Sequence, residues 1–508
     1  MKNFTRREFV ATVATATVGA TALANGVVAA SPSRPTALDE FVDYDALGLA
    51  KLVKSKQASP KELLEASIRR VEALDGTLNA LTTRLYERAM DRAATISPDS
   101  PFAGVPTLLK DTVDVEGVRR TDGSKLFLTR VGTTTAPYIK ALEKAGLNPF
   151  GLTNQPELAA QAITDNEAFG PTRNPWELER TPMGSTGGGA VAVAAGYTPI
   201  VHGTDGGGSN RMPPHACGIL GMKPTRGRMV PGEGTGEHDF FRTHQALSRT
   251  VRDNAKLAAL TEDPSATHLP PMGWVEGPSK NRLRIAMTTV NFFGTDADPT
   301  VKEAIEKTAT LCEELGHSVE IISNPVNGHD FYRAYEAVLV QKFPYLADLV
   351  ENLTGLPIEQ SGLLTKSTAT IANYASTLPD DAAEKGMAYI HQLTAEHLTF
   401  HEKFDIFLTP VVPHEAPMIG DYTYDVAYEI AKERMQALMS FTPVANALGA
   451  PAMSVPLFWS SVSGQPIGSH FQAKAGNDRM LYELAYELEE ARPWKDKWAP
   501  FSAKFIPV

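Results

Sequence analysis

The stretch Thr181–Thr225, TPMGSTGGGAVAVAAGYTPIVHGTDGGGSNRMPPHACGILGMKPT, sets two glycine-flanked serines on either side of a run of small residues. Gly184, Gly187, Gly188 and Gly189 surround Ser185, and Gly206, Gly207 and Gly208 run directly into Ser209. Glycines leave backbone N–H groups unshielded beside each hydroxyl, and such groups can hold an oxyanion. The segment between, Ala190 to Gly196, contains only Ala, Val and Gly. A short helix of that composition packs closely on a sheet with its N-terminus aimed at the preceding loop, so the two serines can converge. Either glycine run alone reads equally well as a turn cluster or a phosphate-cradling loop. The chain has no GxxxxGK[ST], and no GxGxxG opens a helix in the dinucleotide-binding context. No serine sits in a GxSxG elbow either, so a nucleophilic Ser209 needs a base from elsewhere.

Pro101 to Gly117, PFAGVPTLLKDTVDVEG, supplies a candidate. Lys110 follows the apolar, strand-like run of Val105, Leu108 and Leu109 and precedes the alternating Val113 and Val115. A solvated lysine, with a pKa of about 10.4, is protonated at neutral pH and useless as a base; burial lowers that value by up to several units.

With these residues in view, the chain resembles the amidase signature family. GVPTLLKD corresponds to the family's lysine segment and places its lysine at Lys110; MGSTGG places its bridging serine, on a cis peptide, at Ser185; GTDGGGSNRMPPHACGILGMKPT places its nucleophile at Ser209. The resemblance extends through TNQPEL (Thr153 to Leu158), FGPTRNPW (Phe169 to Trp176), DIFLTPVVP (Asp405 to Pro413), GAPAMSVPL and GQPIG, and so covers nearly the whole mature chain. It implies an amidohydrolase with a Ser-Ser-Lys triad and an acyl-enzyme intermediate. Lys110 would draw a proton through Ser185 from Ser209, and N–H groups of Gly206, Gly207, Gly208 and Ser209 would hold the oxyanion. Asp205 and Arg211 would brace the turn as an ion pair, with Thr186 keeping a hydroxyl in the bridging-serine loop. Departures from the family pattern are Met183 for a glycine, Thr186 for a second serine, Gly189 for a frequent serine, Pro214 for alanine, and Leu152 where many relatives carry lysine. Met183 puts a side chain where glycine permits tight backbone approach, which predicts a reshaped loop. FAGVPTLLKD, FGPTRNPW and the C-terminal ARPW resemble the branch containing 6-aminohexanoate cyclic dimer hydrolases, which points to linear or cyclic amide oligomers as substrates. Two other readings stand beside this one. An amidotransferase A-type subunit is disfavoured by the acidic balance and an export signal; a non-catalytic exported ligand-binding protein is disfavoured by the intact Lys110, Ser185 and Ser209.

Composition bounds the partners. The 508 residues carry a formal net charge of −11 and no basic run in the body of the chain, which argues against nucleic acid as a partner, while the family resemblance implies a small-molecule amide substrate. A homodimer is compatible with this composition. The first thirty residues begin MKNFTRREFV, with paired Arg6 and Arg7, continue in a weakly apolar run, and offer small-residue cleavage points after Ala24 and Ala30. This resembles a twin-arginine export signal, which predicts a periplasmic or secreted enzyme. Its removal takes away three cations and one anion and leaves −13. No other stretch reaches the length of a membrane span. No cofactor is implied. A metal is not expected either: His397 and His401 are four apart with His391 nearby, but HExxH is absent because Leu398 follows His397. His202 and His215 fall inside the signature segment without matching a catalytic position. Cys217 and Cys312 read as core thiols.

These elements imply an α/β fold class: residues 31–508 as one large α/β/α sandwich around a mixed, mostly parallel twisted sheet. Ser59-Pro60-Lys61-Glu62 is a capping box opening a helix to about Leu74. Further helices are predicted over Thr300 to Leu315 and Asp478 to Glu490, with strands at GHSVEII and IGSHFQ. Residues 324–440 are richer in helix formers and aromatics, including Phe331, Tyr332, Tyr335, Phe343 and Tyr345, and are expected to be helical; the family resemblance implies that this region shapes the substrate pocket.

Overall fold

The computed structural model describes residues 41–232, 240–423 and 425–508. The twin-arginine segment, residues 1–30, lies outside the described residues. Among the described residues, eleven strands form two sheets. The smaller contains β1 (Leu81–Arg84), β2 (Pro106–Lys110) and β3 (Asn148–Thr153) in the order β1-β3-β2. The larger joins β4 (Ile200–Asp205), β5 (Leu220–Lys223), β6 (Thr243–Ser248), β7 (Arg284–Met287), β8 (Ser318–Ile321), β9 (Ile406–Pro410), β10 (Ala452–Trp459) and β11 (Pro466–Ala473). Its order is β4-β6-β5-β10-β11-β9-β7-β8, and helices flank it.

The sheet is mixed, as the α/β reading requires, but the expectation that it is mostly parallel is corrected. Only β7 pairs in parallel, with β8 and β9; the other ladders of the large sheet, from β4 across to β9, are antiparallel. The physical reason lies in the connections. The chain between β10 and β11 is a loop of six residues, Ser460 to Gln465, far too short for the crossover a parallel pair needs.

The two sheets are tied where the chemistry will sit. Thr107 Oγ1 on β2 donates to the Ile200 carbonyl on β4 (2.8 Å), and the backbone N–H of Lys110 donates to His202 Nδ1 (3.3 Å). β2 and β4 therefore end side by side, at Lys110 and Asp205. The helix Gly187–Ala194 lies against them, every residue buried. In its first turn Gly188 has no room for a side chain, because a Cβ there would stand 2.6 Å from the backbone nitrogen of Asn154, just past β3.

Predicted elements elsewhere are present with small shifts of boundary. Ser59 Oγ accepts from the Glu62 N–H (3.2 Å) and the Glu62 carboxylate accepts from the Ser59 N–H (2.8 Å), closing the capping box. The helix runs over Pro60–Leu78, one turn beyond the expected end, until Asn79 turns left-handed at φ 53°. Helices at Pro299–Glu314 and Asp478–Ala491 and strands β8 and β11 match the remaining segments. Trp494 of ARPW is buried and its indole N–H donates to the Arg249 carbonyl (2.9 Å).

Candidate active site

Lys110, Ser185 and Ser209 meet at the junction of the two sheets, each carried by the end of a different element: β2, the approach to helix Gly187–Ala194, and the turn after β4. Lys110 Nζ donates to Ser185 Oγ at 2.7 Å, and Ser185 Oγ donates to Ser209 Oγ at 2.9 Å. The same distances serve the opposite polarity, in which Ser209 donates to Ser185 and Ser185 to a neutral amine. Lys110 also reaches Thr204 Oγ1 (3.0 Å) and the Thr204 carbonyl (3.4 Å). A neutral amine has two N–H donors and one lone pair: Thr204 takes the donors and leaves the lone pair facing Ser185. Lys110 is sealed in the interior, Ser185 is buried but borders the cleft, and Ser209 keeps 9% of its surface open at the cleft's floor. Burial among uncharged oxygens drives the Lys110 pKa well below its ordinary value, and the positive charge of Arg242 pushes it further down; Asp205 opposes both.

The Gly184–Ser185 peptide is cis. Met183, just before it, sits at φ 60° with its side chain wholly buried in the apolar core and absent from the cleft lining. The reshaped loop expected from this residue is thus accommodated inward, with the Met183 carbonyl held by the Thr164 N–H (3.2 Å) and hydroxyl (2.8 Å). Thr186 Oγ1 lies within donating distance of the Thr204 carbonyl (3.2 Å) and Asn210 Oδ1 (3.1 Å), linking the bridging-serine loop to β4 and the nucleophile turn. Leu152 is buried on β3, in register with Leu109 of β2.

The turn carrying Ser209 is built around Asp205. One carboxylate oxygen accepts the Gly208 N–H (2.7 Å) and the other the Asn210 N–H (3.0 Å), while Arg211 clamps both oxygens at 3.0 and 2.9 Å. Both partners are fully buried. Burial alone would raise the Asp205 pKa; the Arg211 guanidinium outweighs it and holds the carboxyl well below the usual range. Gly208 adopts φ 135°, a conformation side chains rarely take. Its N–H is directed into Asp205, so Gly208 is withdrawn from the expected oxyanion donors, leaving Gly206, Gly207 and Ser209 as candidates. The carbonyls of Gly206 and Gly207 are pinned from outside by the Tyr335 hydroxyl (2.9 Å) and Thr442 Oγ1 (2.7 Å), which fixes the plane of the intervening peptides.

Several supporting residues escaped the sequence reading. Asn446 donates to Asp205 Oδ1 (2.9 Å) and accepts from Arg211 (2.6 Å). Arg211 also contacts His470 Nε2 (2.9 Å). Because arginine only donates, that nitrogen accepts, and Nδ1–H is left to donate to Thr409 Oγ1 (2.9 Å). Thr204 lies within Thr181–Thr225 but carries no signal for its role; Thr442 and Asn446 come from a distant, weakly patterned segment, and His470 from the distant IGSHFQ strand, where nothing local marks its contact with Arg211. The conspicuous motifs around the core prove to be braces. Gln155 of TNQPEL donates to the Asp111 carbonyl next to Lys110 (2.9 Å). Asn174 and Trp176 of FGPTRNPW donate to the carbonyls of Ala216 and Cys217 (both 2.8 Å), fixing the helix Met212–Cys217 after the nucleophile.

The histidines fall outside the reaction path. Burial lowers His202 to about 3 and His215 to about 4; His215 Nδ1 accepts the Gly468 N–H (3.0 Å). His391 is exposed, while His397 and His401 face one another across 3.0 Å near the end of helix Ala382–Lys403, where His401 reaches the Phe404 carbonyl (2.9 Å). Among the described residues, no group of three or more His, Cys, Asp or Glu is placed to hold a metal ion. Cys217 and Cys312 are buried and unlinked, and burial pushes the Cys312 thiol to about 12. Of the aromatics expected at the pocket, Tyr332, Tyr335 and Phe343 line the cleft; Phe331 is packed in the core behind them, and Tyr345 is largely exposed and outside the lining. No described helix is long and apolar enough to cross a membrane.

The profile of the Amidase family matches residues 62–482. The chain belongs to this family. It is an amidohydrolase acting on carbon–nitrogen bonds. A protein described as putative amidase AmiC from Mycobacterium tuberculosis is 34% identical over 476 residues, covering 91% of this chain and 97% of that protein. A 6-aminohexanoate-cyclic-dimer hydrolase of Paenarthrobacter ureafaciens is 32% identical, covering 89% and 95%. Among solved structures, a 6-aminohexanoate cyclic dimer hydrolase complexed with substrate superposes with a TM-score of 0.83 at 30% identity, over 91% of this chain and 99% of that one. A bacterial aryl acylamidase of the amidase signature enzymes shares the fold, with a TM-score of 0.80 at 23% identity, over 89% and 98%.

Proposed function

We propose that this amidase hydrolyses small carboxylic amides by acyl transfer to Ser209, with Ser185 as proton relay and neutral Lys110 as base. The observation that carries the reading is the unbroken contact path from Lys110 Nζ through Ser185 Oγ to Ser209 Oγ, closed at its inner end by burial and open at Ser209. The Ser209 proton passes to Ser185 as the Ser185 proton passes to Lys110, and Ser209 Oγ adds to the amide carbon. The oxygen that gains charge is met by N–H groups of Gly206, Gly207 and Ser209, held rigid by the Asp205, Tyr335 and Thr442 contacts. Ser185 then returns a proton to the departing nitrogen as the C–N bond breaks. Water repeats the path against the acyl-enzyme, releasing the acid and restoring Ser209.

The cleft above Ser209 is partly enclosed and lined largely by apolar and aromatic side chains, which suits a small molecule. Helical segments after residue 324 supply much of its wall, including Tyr332, Tyr335, Ile371 and Met435. Similarity to cyclic dimer hydrolases supports linear or cyclic amide oligomers as the substrates to try first. The test is amine or ammonia release from primary amides, anilides, aminohexanoate oligomers and esters, wild type against Ser209→Ala. Release that requires Ser209 is the expected result. Equal release by the variant would overturn the nucleophile assignment, and specific binding without any release would favour a ligand-binding protein.

A further inference from the structure

We propose that Gln161 reads the nitrogen of the substrate: its side-chain carbonyl accepts an amide N–H of the bound molecule, so the cleft prefers amides bearing N–H to esters and N-alkylated amides. This specificity rests on the reading of the cleft as an amide site and adds the contact that tells an amide from an ester there. Gln161 follows the turn Glu157–Ala159, in which two successive non-glycine residues, Leu158 and Ala159, take left-handed φ values of 54° and 53°. A Cβ disfavours that conformation, so the turn has to be held by its surroundings. The Leu158 N–H donates to the Asp122 carbonyl (2.7 Å). The Glu157 carboxylate accepts from Ser124 Oγ (2.8 Å), the Thr365 N–H (2.9 Å) and Thr365 Oγ1 (2.8 Å). So held, the chain delivers Ala159, Ala160 and Gln161 to the cleft lining that also includes Ser185 and Ser209.

Gln161 is 7% exposed, and its two polar atoms meet different fates. Nε2 donates to Ser367 Oγ (2.9 Å), which lies outside the lining, whereas Oε1 is buried with no partner among the described residues. A chain of hydroxyls sets this orientation. The Thr365 hydroxyl gives its hydrogen to Glu157, so Thr365 Oγ1 accepts in turn, and Ser367 Oγ stands 3.4 Å from it as donor. With its hydrogen used there, Ser367 accepts from Gln161, which turns the amide N–H to Ser367 and leaves the Gln161 carbonyl free. A buried acceptor without a partner is uncommon and costly. In a cleft that cleaves amides, the donor it lacks is one that every primary or secondary amide brings and an ester does not.

The N–H can belong to the amide that is cleaved or to a second amide of the same molecule, and the experiment separates the two. The probe is the anilide of N-acetyl-6-aminohexanoate, which carries two amide N–H groups. Its binding to full-length Ser209→Ala protein is measured by calorimetry beside two analogues in which –O– replaces –NH–, one at the acetamide and one at the anilide. One replacement is expected to weaken binding about tenfold or more. Gln161→Met, added to the Ser209→Ala protein, is expected to weaken the diamide by a similar factor and to leave that analogue unchanged. The analogue that responds names the nitrogen that is read, and turnover of the diamide by wild type names the bond that is cleaved. Thermal melting controls the folding of the variant, and the ligand replacements need no change at Gln161. Tolerance of both replacements would overturn the proposal, as would a Gln161→Met protein that weakens all three ligands alike, the pattern of a merely structural role. No binding of any of the three would overturn it together with the small-amide reading of the cleft. A Gln161-dependent preference with no Ser209-dependent turnover would leave this proposal standing and overturn the nucleophile reading instead.

Discussion

At the scale of single residues, catalysis turns on whether Lys110 is neutral when substrate is bound. Its three polar contacts are uncharged oxygens, and its pKa is depressed first by burial and then by Arg242. Activity should therefore rise with pH as Lys110 loses its proton, with the acidic limb of kcat/KM lying well below the ordinary lysine range of about 10.4. A profile flat from pH 5 to 10 would contradict this role. Lys110→Met removes the base, and Ser185→Ala cuts the path between base and nucleophile; each should lower kcat by roughly 10²–10⁴, with thermal stability as the control for folding. The glycine runs, the two serines and the lysine were legible in the sequence because each occupies a local motif with a chemical reason for its composition. Thr204, which accepts from the amine, was not, because a threonine at a strand end has many uses and only the fold shows that this one faces Lys110. Gly208 shows the reverse difficulty: its sequence position suggested an oxyanion donor, yet its N–H is committed to Asp205.

At the scale of elements, the nucleophile turn is held by one buried ion pair rather than by a regular structure. Asp205 receives two backbone N–H groups of the turn, and Arg211 carries the contact onward to Thr442 and Asn446 on one segment and His470 on another. Removing one partner of such a pair strands the other charge in the interior. Arg211→Met should accordingly cost about 3–5 kcal/mol in denaturant unfolding and misplace Ser209, lowering kcat more than it raises KM. A variant of wild-type stability would show that the pair is not what holds the turn. Asp205 and Arg211 could be paired in the sequence because both lie close to Ser209, but the third member, Asn446, lies more than two hundred positions away with no local pattern to mark it. Helix and strand segments with clear periodicity were legible to within a turn. Sheet direction was not: alternation of helices and strands suggests parallel pairing, whereas direction is set by the connections, and the short β10–β11 loop forbids a parallel pair there.

At the scale of the whole molecule, the interior around the site contains histidines that fold neutral. His215, lowered to about 4 by burial, resists protonation in the native state while the unfolded chain takes up a proton near 6.5. The native protein binds fewer protons in that window, so this residue's contribution is present above pH 6.5 and is lost as pH falls toward 4. Other groups act with the opposite sign, Asp111 being raised to about 6 and Glu489 to about 7 chiefly by burial, so the His215 effect is visible only as a difference between a variant and wild type. His215→Asn keeps an acceptor for the Gly468 N–H and does not titrate. Its stability relative to wild type should improve by roughly 2–3 kcal/mol between pH 7.5 and 4.5, read from urea unfolding at both values. No change in the difference would show that His215 protonates freely in the fold. The central claim, that Ser209 is a nucleophile activated through Ser185 by Lys110, is tested most directly on the intact protein by mass spectrometry after exposure to a serine-directed fluorophosphonate. One label per chain is expected, mapped to Ser209, at a rate that rises with pH and falls sharply in Lys110→Met. A label mapped to another residue, or labelling of Ser209 at an undiminished rate without Lys110, would contradict that claim.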